Sequence, residues 1–181
     1  MAKDFDPHRL DVRRFAEEGG EIDASEHLRS FRRLVAETDD GADLARNVRW
    51  QARGELLNPG HLQPQVWVHL EADATLPLVC QRCLTPVDVP LQVRRAFRFV
   101  ADEATAAAED DESEEDLLAL SRSFDLVELV EDELLMELPV APRHEVCPQP
   151  VKMSAVDVDF EAAEAEKEHP FALLGRLKPG K

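Results

Sequence analysis

From position 47 the chain alternates. Val48, Trp50, Ala52, Gly54 and Leu56 fall between Asn47, Arg49, Gln51, Arg53 and Glu55. A period of two sends successive side chains to opposite faces and predicts a half-buried β-strand. Leu57-Asn58-Pro59-Gly60 ends that strand in turn chemistry. The alternation resumes near Gln65 with Val66, Val68 and Leu70, and Ala72, Ala74, Leu76, Leu78 and Cys80 carry it on. Pro77 has no amide proton, so an edge position or a bulge is expected there. Beyond a short polar turn, Val87, Val89, Leu91, Val93, Phe97 and Phe99 alternate with Asp88, Gln92, Arg94 and Arg98 up to Val100. Two half-buried strands on either side of such a turn form an antiparallel hairpin. An antiparallel sheet over 47–100 follows. Arg95 stands in the inward phase and requires either a bulge or a long side chain snorkelling from the core face.

Helical signals flank this region. Asp125-Leu126-Val127-Glu128 has the form of a capping box. It opens a helix with Leu126, Leu129, Val130, Leu134, Leu135 and Leu138 on one side, and Glu128, Glu131, Asp132, Glu133 and Glu137 outward. Pro139 stops it, because the residue before proline disfavours helix. A sheet with an amphipathic helix over 125–138 packed on it is an α+β fold. Asp23-Ala24-Ser25-Glu26 reads as another capping box. It leads into a short amphipathic helix with Leu28, Phe31, Leu34 and Val35 on one face and Arg29, Arg32 and Arg33 on the rest. Upstream, Phe5, Leu10, Val12 and Phe15 are available to pack on the main domain.

From 102 to 116 acids alternate with alanines and no base interrupts them, which predicts a mobile acidic loop. Leu117-Leu118-Ala119-Leu120 is too short a run to assign. Pro142, Pro148 and Pro150 hold an extended segment around His144 and Cys147. An acidic, poorly ordered stretch is expected over 157–168. A short terminal helix follows, with Pro170 in its first turn and Phe171, Leu174 and Leu177 on one face. The expected organisation is thus an N-terminal segment (1–44), a sheet-and-helix core (45–150) and an acidic tail with a short helix (151–181).

Composition narrows the functional classes. A chain of 181 residues can bury one proper core. Its formal net charge of −17 opposes non-specific attraction to phosphate and favours basic partners or simple solubility. No apolar run follows Met1-Ala2-Lys3, and nothing approaches the roughly twenty apolar residues of a membrane span. A soluble, cytoplasmic chain is expected, without membrane or small-molecule partners.

The chemistry centres on Cys80-Gln81-Arg82-Cys83 at the hairpin tip. A redox pair with this spacing wants its first cysteine at a helix N-terminus, whereas here a strand precedes it and Pro86 with further alternation follows. Structural zinc needs four ligands in a tetrahedron, and a Cys-x2-Cys turn presents two. His144 and Cys147 complete a Cys3His set if their segment folds back onto the tip. The alternative is three unligated thiols with His144 at the surface; the odd count gives no disulfide framework. No glycine-rich phosphate loop and no hydrolase elbow is present, and the acids lie on helix faces or in the acidic run. An enzyme is not expected. Arg82, Arg94, Arg95 and Arg98 cluster on the hairpin and are the candidate RNA-binding residues.

Three blocks occur in order: Cys80-Gln81-Arg82-Cys83 before a strand; the run from Glu131 through Pro139, Pro142 and His144 to Cys147; and the closing His169-Pro170-Phe171 through Leu177-Lys178. Together, from about Ala72 onward, the chain resembles the bacterial large ribosomal RNA subunit accumulation proteins of the YceD family. His169 stands where asparagine is commoner in that family. The resemblance implies a non-enzymatic role in synthesis, processing or stability of large-subunit (23S) ribosomal RNA, and carries over neither catalytic residues nor a metal. Two modes of action follow. The hairpin arginines touch RNA with the acidic segments gating them, or the acidic faces hold a basic ribosomal or assembly protein.

Overall fold

Alternation along the middle of the chain builds a sheet whose strands lie side by side in sequence order. The computed structural model describes residues 5–150 except residue 63, so the acidic stretch expected over 157–168 and the short terminal helix lie outside the described residues; the fold below is that of the unit Met1–Val146. The strands are β1 (Glu21–His27), β2 (Asn47–Leu57), β3 (Gln65–Val79), β4 (Pro86–Val100) and β5 (Asp116–Ala119). Their order is β1-β2-β3-β4-β5. The first three pairings are antiparallel, and β5 joins β4 in parallel. Helices α1 (Val12–Glu17), α2 (Arg32–Glu37), α3 (Glu103–Glu109) and α4 (Leu126–Met136) complete an α+β fold. No described helix is long and apolar enough to cross a membrane.

Within 47–100 every pairing is antiparallel, as the alternation predicts. The parallel β5 was not expected. Its run of four residues has no period of its own, and it pairs from Phe97↔Asp116 to Val100↔Ala119 only after a crossover through α3. Pro77 sits where the sheet is locally an edge: β2 pairs with β3 no further than Asp73, while Pro77 keeps its place opposite Asp88 on β4. Its carbonyl accepts instead from the Asp39 N–H at 2.8 Å.

The capping box at Asp23–Glu26 does not open a helix. Those residues lie in β1, paired with β2 from Glu21↔Arg53 to His27↔Asn47. Helix begins later, with a 3-10 turn at Leu28–Ser30 and α2 after it. The acidic segment is also more regular than a loop. Asp102 caps α3 by accepting from the Thr105 N–H at 2.8 Å, and Ala106 is buried.

One core joins all of this. Leu10, Val12, Phe15, Leu28, Phe31 and Leu34 from the first 44 residues pack with Val68, Leu70 and Leu76 of β3 and Leu126, Val130 and Leu134 of α4. The N-terminal segment is tied to the entry of α4 by reciprocal bonds, Leu10 N–H to Phe124 O at 2.8 Å and Phe124 N–H to Leu10 O at 2.9 Å. Asp125 then caps α4 through the Glu128 N–H at 3.0 Å. Helix α2 lacks a side-chain cap of its own. Glu131 of α4 supplies one, accepting from the Arg33 N–H at 2.7 Å and the Leu34 N–H at 3.2 Å. The Arg33 guanidinium also pairs with Glu131 and Asp132, and the bond to Glu131 raises its pKa.

At Gly54 two backbones come close. The Phe15 end of α1 crosses β2 there, and a Cβ at Gly54 would lie 2.7 Å from the Phe15 carbonyl oxygen. The Gly54 N–H donates to Gly20 O at 2.9 Å and the Gly20 N–H to Phe15 O at 2.8 Å, so the two backbones cannot part without losing one of these bonds. Gly54→Ala should therefore destabilise the protein by about 1–3 kcal/mol. That corresponds to roughly 3–10 °C in the melting temperature at this chain length. Gly60→Ala meets nothing within 4 Å and should leave the melting curve almost unchanged. Equal melting of wild type and Gly54→Ala would contradict the packing.

Candidate metal centre

Strand β3 ends at Val79, so Cys80 is the first residue past the last cross-strand pair, Val79↔Pro86. The tip closes tightly. Cys80 N–H donates to Thr85 O at 3.0 Å, Leu84 N–H donates back to Cys80 O at 2.9 Å, and Leu84 takes a left-handed φ of 57°. Cys80 still follows the inward phase of β3 and is fully buried; Cys83 is half-buried. The segment after α4 returns to this tip, as the Gln81 N–H donates to Pro142 O at 2.8 Å. That bond sets His144 beside the turn, with its Nδ1 3.4 Å from Cys83 Sγ. Thr85 Oγ1 lies 3.1 Å from the same sulfur.

The ligating atoms of Cys80, Cys83, His144 and Cys147 all lie within 4.8 Å of one another. In a tetrahedral zinc site, with Zn–S near 2.3 Å and Zn–N near 2.0–2.1 Å, ligand atoms stand about 3.6–3.8 Å apart. A contraction of about an ångström would thus bring these four around one ion. Three thiolates and an imidazole suit a soft or borderline metal such as zinc, and four protein ligands close the shell, as in structural sites.

The surroundings favour thiolate. Burial pushes the Cys80 thiol up, but the N–H groups of His144, Arg82 and Cys83, with the His144 side chain, outweigh it and bring the pKa to about 5. His144 moves the other way, raised chiefly by its hydrogen bond to Cys80, with burial opposing. Both directions describe a thiolate–imidazolium pair. Protein stripped with chelator should accordingly keep its ultraviolet thiolate band as the pH falls, losing the Cys80 part only near pH 5. His144→Ala should move that loss to higher pH. A band that vanishes at ordinary thiol pKa, about 8.5, would contradict the geometry.

The four candidate arginines do not form one open surface. Arg94, outward on β4, pairs with Glu71 at 3.3 Å and Asp73 at 3.5 Å, both outward on β3. Arg98 donates to Glu109 at the end of α3 at 2.9 Å, and its side chain is only 20% exposed. Arg95 occupies an unbroken register opposite Leu70, so no bulge accounts for it. It snorkels from the core face to Glu133 at 3.4 Å and Asp116 at 3.8 Å. Arg82 alone of the four is exposed without an ion pair among the described residues. Glu133 corrects an expectation: it faces inward and is 7% exposed rather than outward on α4. Burial raises its pKa, and Arg95 partly offsets that. The partners Glu71 and Asp73 were within reach of the sequence, since period two puts them on the face of Arg94. Glu109, Asp116 and Glu133 required the tertiary fold.

No solved structure matches this chain. A family model described as large ribosomal RNA subunit accumulation protein YceD matches residues 68–178, which include the metal-ligand cluster and the arginine-bearing strand β4. With that span covering more than half of the sequence, the chain belongs to the YceD family of large ribosomal RNA subunit accumulation proteins.

Proposed function

We propose that the chain is a non-enzymatic cytoplasmic factor supporting synthesis, processing or stability of large-subunit ribosomal RNA, and that it acts by holding a basic protein of that assembly. Family membership supports the process. The observation that carries the mode of action is the pairing of Arg94, Arg95 and Arg98 with carboxylates. The exposed pairs of Arg94 each contribute only about 0.2–1 kcal/mol, so phosphate could displace a carboxylate there at small cost. The displaced acids are the larger obstacle. Glu71, Asp73, Glu109, Asp116 and Glu133 would remain beside the nucleic-acid backbone, on a chain of net charge −17. A basic protein meets the opposite balance.

The cysteine-bearing turn at the hairpin tip, the knuckle, is a structural part of this reading. We assign zinc to Cys80, Cys83, His144 and Cys147, where it would fasten the segment after α4 to the hairpin tip. Arg82, exposed on that knuckle, supports a second reading in which RNA is touched at the tip.

Protein purified without chelator should carry about one zinc per chain, and Cys83→Ser should abolish it. At low salt the chain should capture basic proteins of the large subunit and release them as salt rises. Large-subunit RNA fragments should bind weakly, with Arg94→Glu and Arg98→Glu changing that little. Tight RNA binding that falls with salt and is lost in Arg82→Glu would favour contact at the tip. Tight binding lost in Arg94→Glu with Arg98→Glu would restore the strand as the RNA-binding face.

A further inference from the structure

We infer that the groove between α4 and β5 is a docking site for a positively charged amphipathic segment of a partner protein, resting on the reading above that the chain holds a basic protein. The groove measures about 610 Å³. Phe97, Leu118, Leu129 and Met136 give it an apolar floor, and Met136 is 69% exposed at the end of α4. Asp110, Asp116 and Asp132 stand around that floor, with Glu133 deeper in. Four acids face one base, Arg95.

Arg95 itself shows how this groove treats a cation. Its stem rises from the core face of β4 and its guanidinium lies between Glu133 at 3.4 Å and Asp116 at 3.8 Å. Asp132 is engaged by Arg33. Asp110 makes no side-chain hydrogen bond or ion pair among the described residues and sits in the 3-10 turn after α3. An entering lysine or arginine can therefore place its apolar stem on Phe97 and Leu118 and its charge at Asp110 or Asp116, repeating the geometry of Arg95. Apolar side chains of the same segment would cover Met136 and Leu129. An acidic or neutral segment would gain the floor but meet uncompensated carboxylates. Charge complementarity therefore selects a basic occupant.

The test uses the full chain and a labelled synthetic helix with leucines on one face and lysines and arginines on the other. A scrambled peptide of identical composition and an oligolysine of equal charge serve as comparison probes. The amphipathic peptide should bind, and the two comparison probes should bind roughly tenfold or more weakly, because only it satisfies floor and rim together. Asp110→Lys and Met136→Glu should each weaken binding about tenfold, the former through like charge at the rim. Asp40→Lys, an exposed reversal outside the groove, should leave it unchanged. Asp110 and Met136 are both exposed, so melting temperatures should stay at the wild-type value; if Met136→Glu melts lower, Asp110→Lys decides. Equal binding of oligolysine, indifference to both groove variants, or a self-association abolished by Met136→Glu would each overturn the site. Capture of large-subunit proteins that ignores both variants would sink the groove alone. Failure to bind the peptide and any large-subunit protein would sink the parent reading with it.

Discussion

The register of β3 against β4 governs almost everything described above. It runs from Val66↔Phe99 to Val79↔Pro86 without a slip. A shift of one residue would turn every side chain of one strand to the opposite face. In the observed register the apolar residues of both strands share one face. Cys80 then falls just beyond the last pair with its thiol still in the inward phase. Arg94 lands beside Glu71 and Asp73, and Arg95 lands opposite Leu70 with nowhere to go but along the core face to Glu133. The ligand cluster and the neutralised arginines are two outcomes of the same pairing.

What the sequence made legible follows from the strength of local signals. Period two over fifteen residues in β3 is hard to satisfy by any other structure, so the sheet was readable. Asp125 and Glu128 frame a leucine stripe, so α4 was readable too. The set Cys80, Cys83, His144 and Cys147 could be proposed from spacing, and the structure brings its ligand atoms within 4.8 Å of one another. The failures occurred where a local rule competed with a pairing that sequence does not display. Asp23–Glu26 satisfies a helix cap, yet its backbone groups find partners along β2, and one face of that strand stays in solvent. Asp102 with Thr105 and the alanines before Glu109 made a short capped helix available, but the density of acids obscured it. Glu133 could not be placed inward from sequence because the reason is Arg95, on a strand 38 residues away.

The charge distribution has a corresponding logic. The bases of β4 are engaged internally, Arg94 with two acids, Arg95 with two and Arg98 with one. With acids outnumbering bases 38 to 21, such pairing consumes the positive charge before the negative. The excess facing solvent is carboxylate, and its field extends about 8–10 Å at physiological salt. A field of that sign speeds encounter with basic proteins and slows encounter with nucleic acid. A factor that serves ribosomal RNA without competing for its phosphates fits that balance.

The hairpin tip and the groove lie apart along β4 but share the segment that follows α4. Arg95 stands nine residues beyond Pro86 on β4, which is roughly 30 Å of strand at about 3.3 Å per residue. Between them lie Leu91 and Val93, buried in the common core, so a loosened tip need not disturb Arg95 or Phe97. The segment joining them runs from Met136 through Pro139 and Pro142 to His144, and a metal at the tip would fix its far end. Its near end is the exposed end of α4, where the groove floor lies. Fixing one end of a short proline-containing segment restricts the other, because prolines remove backbone freedom along it.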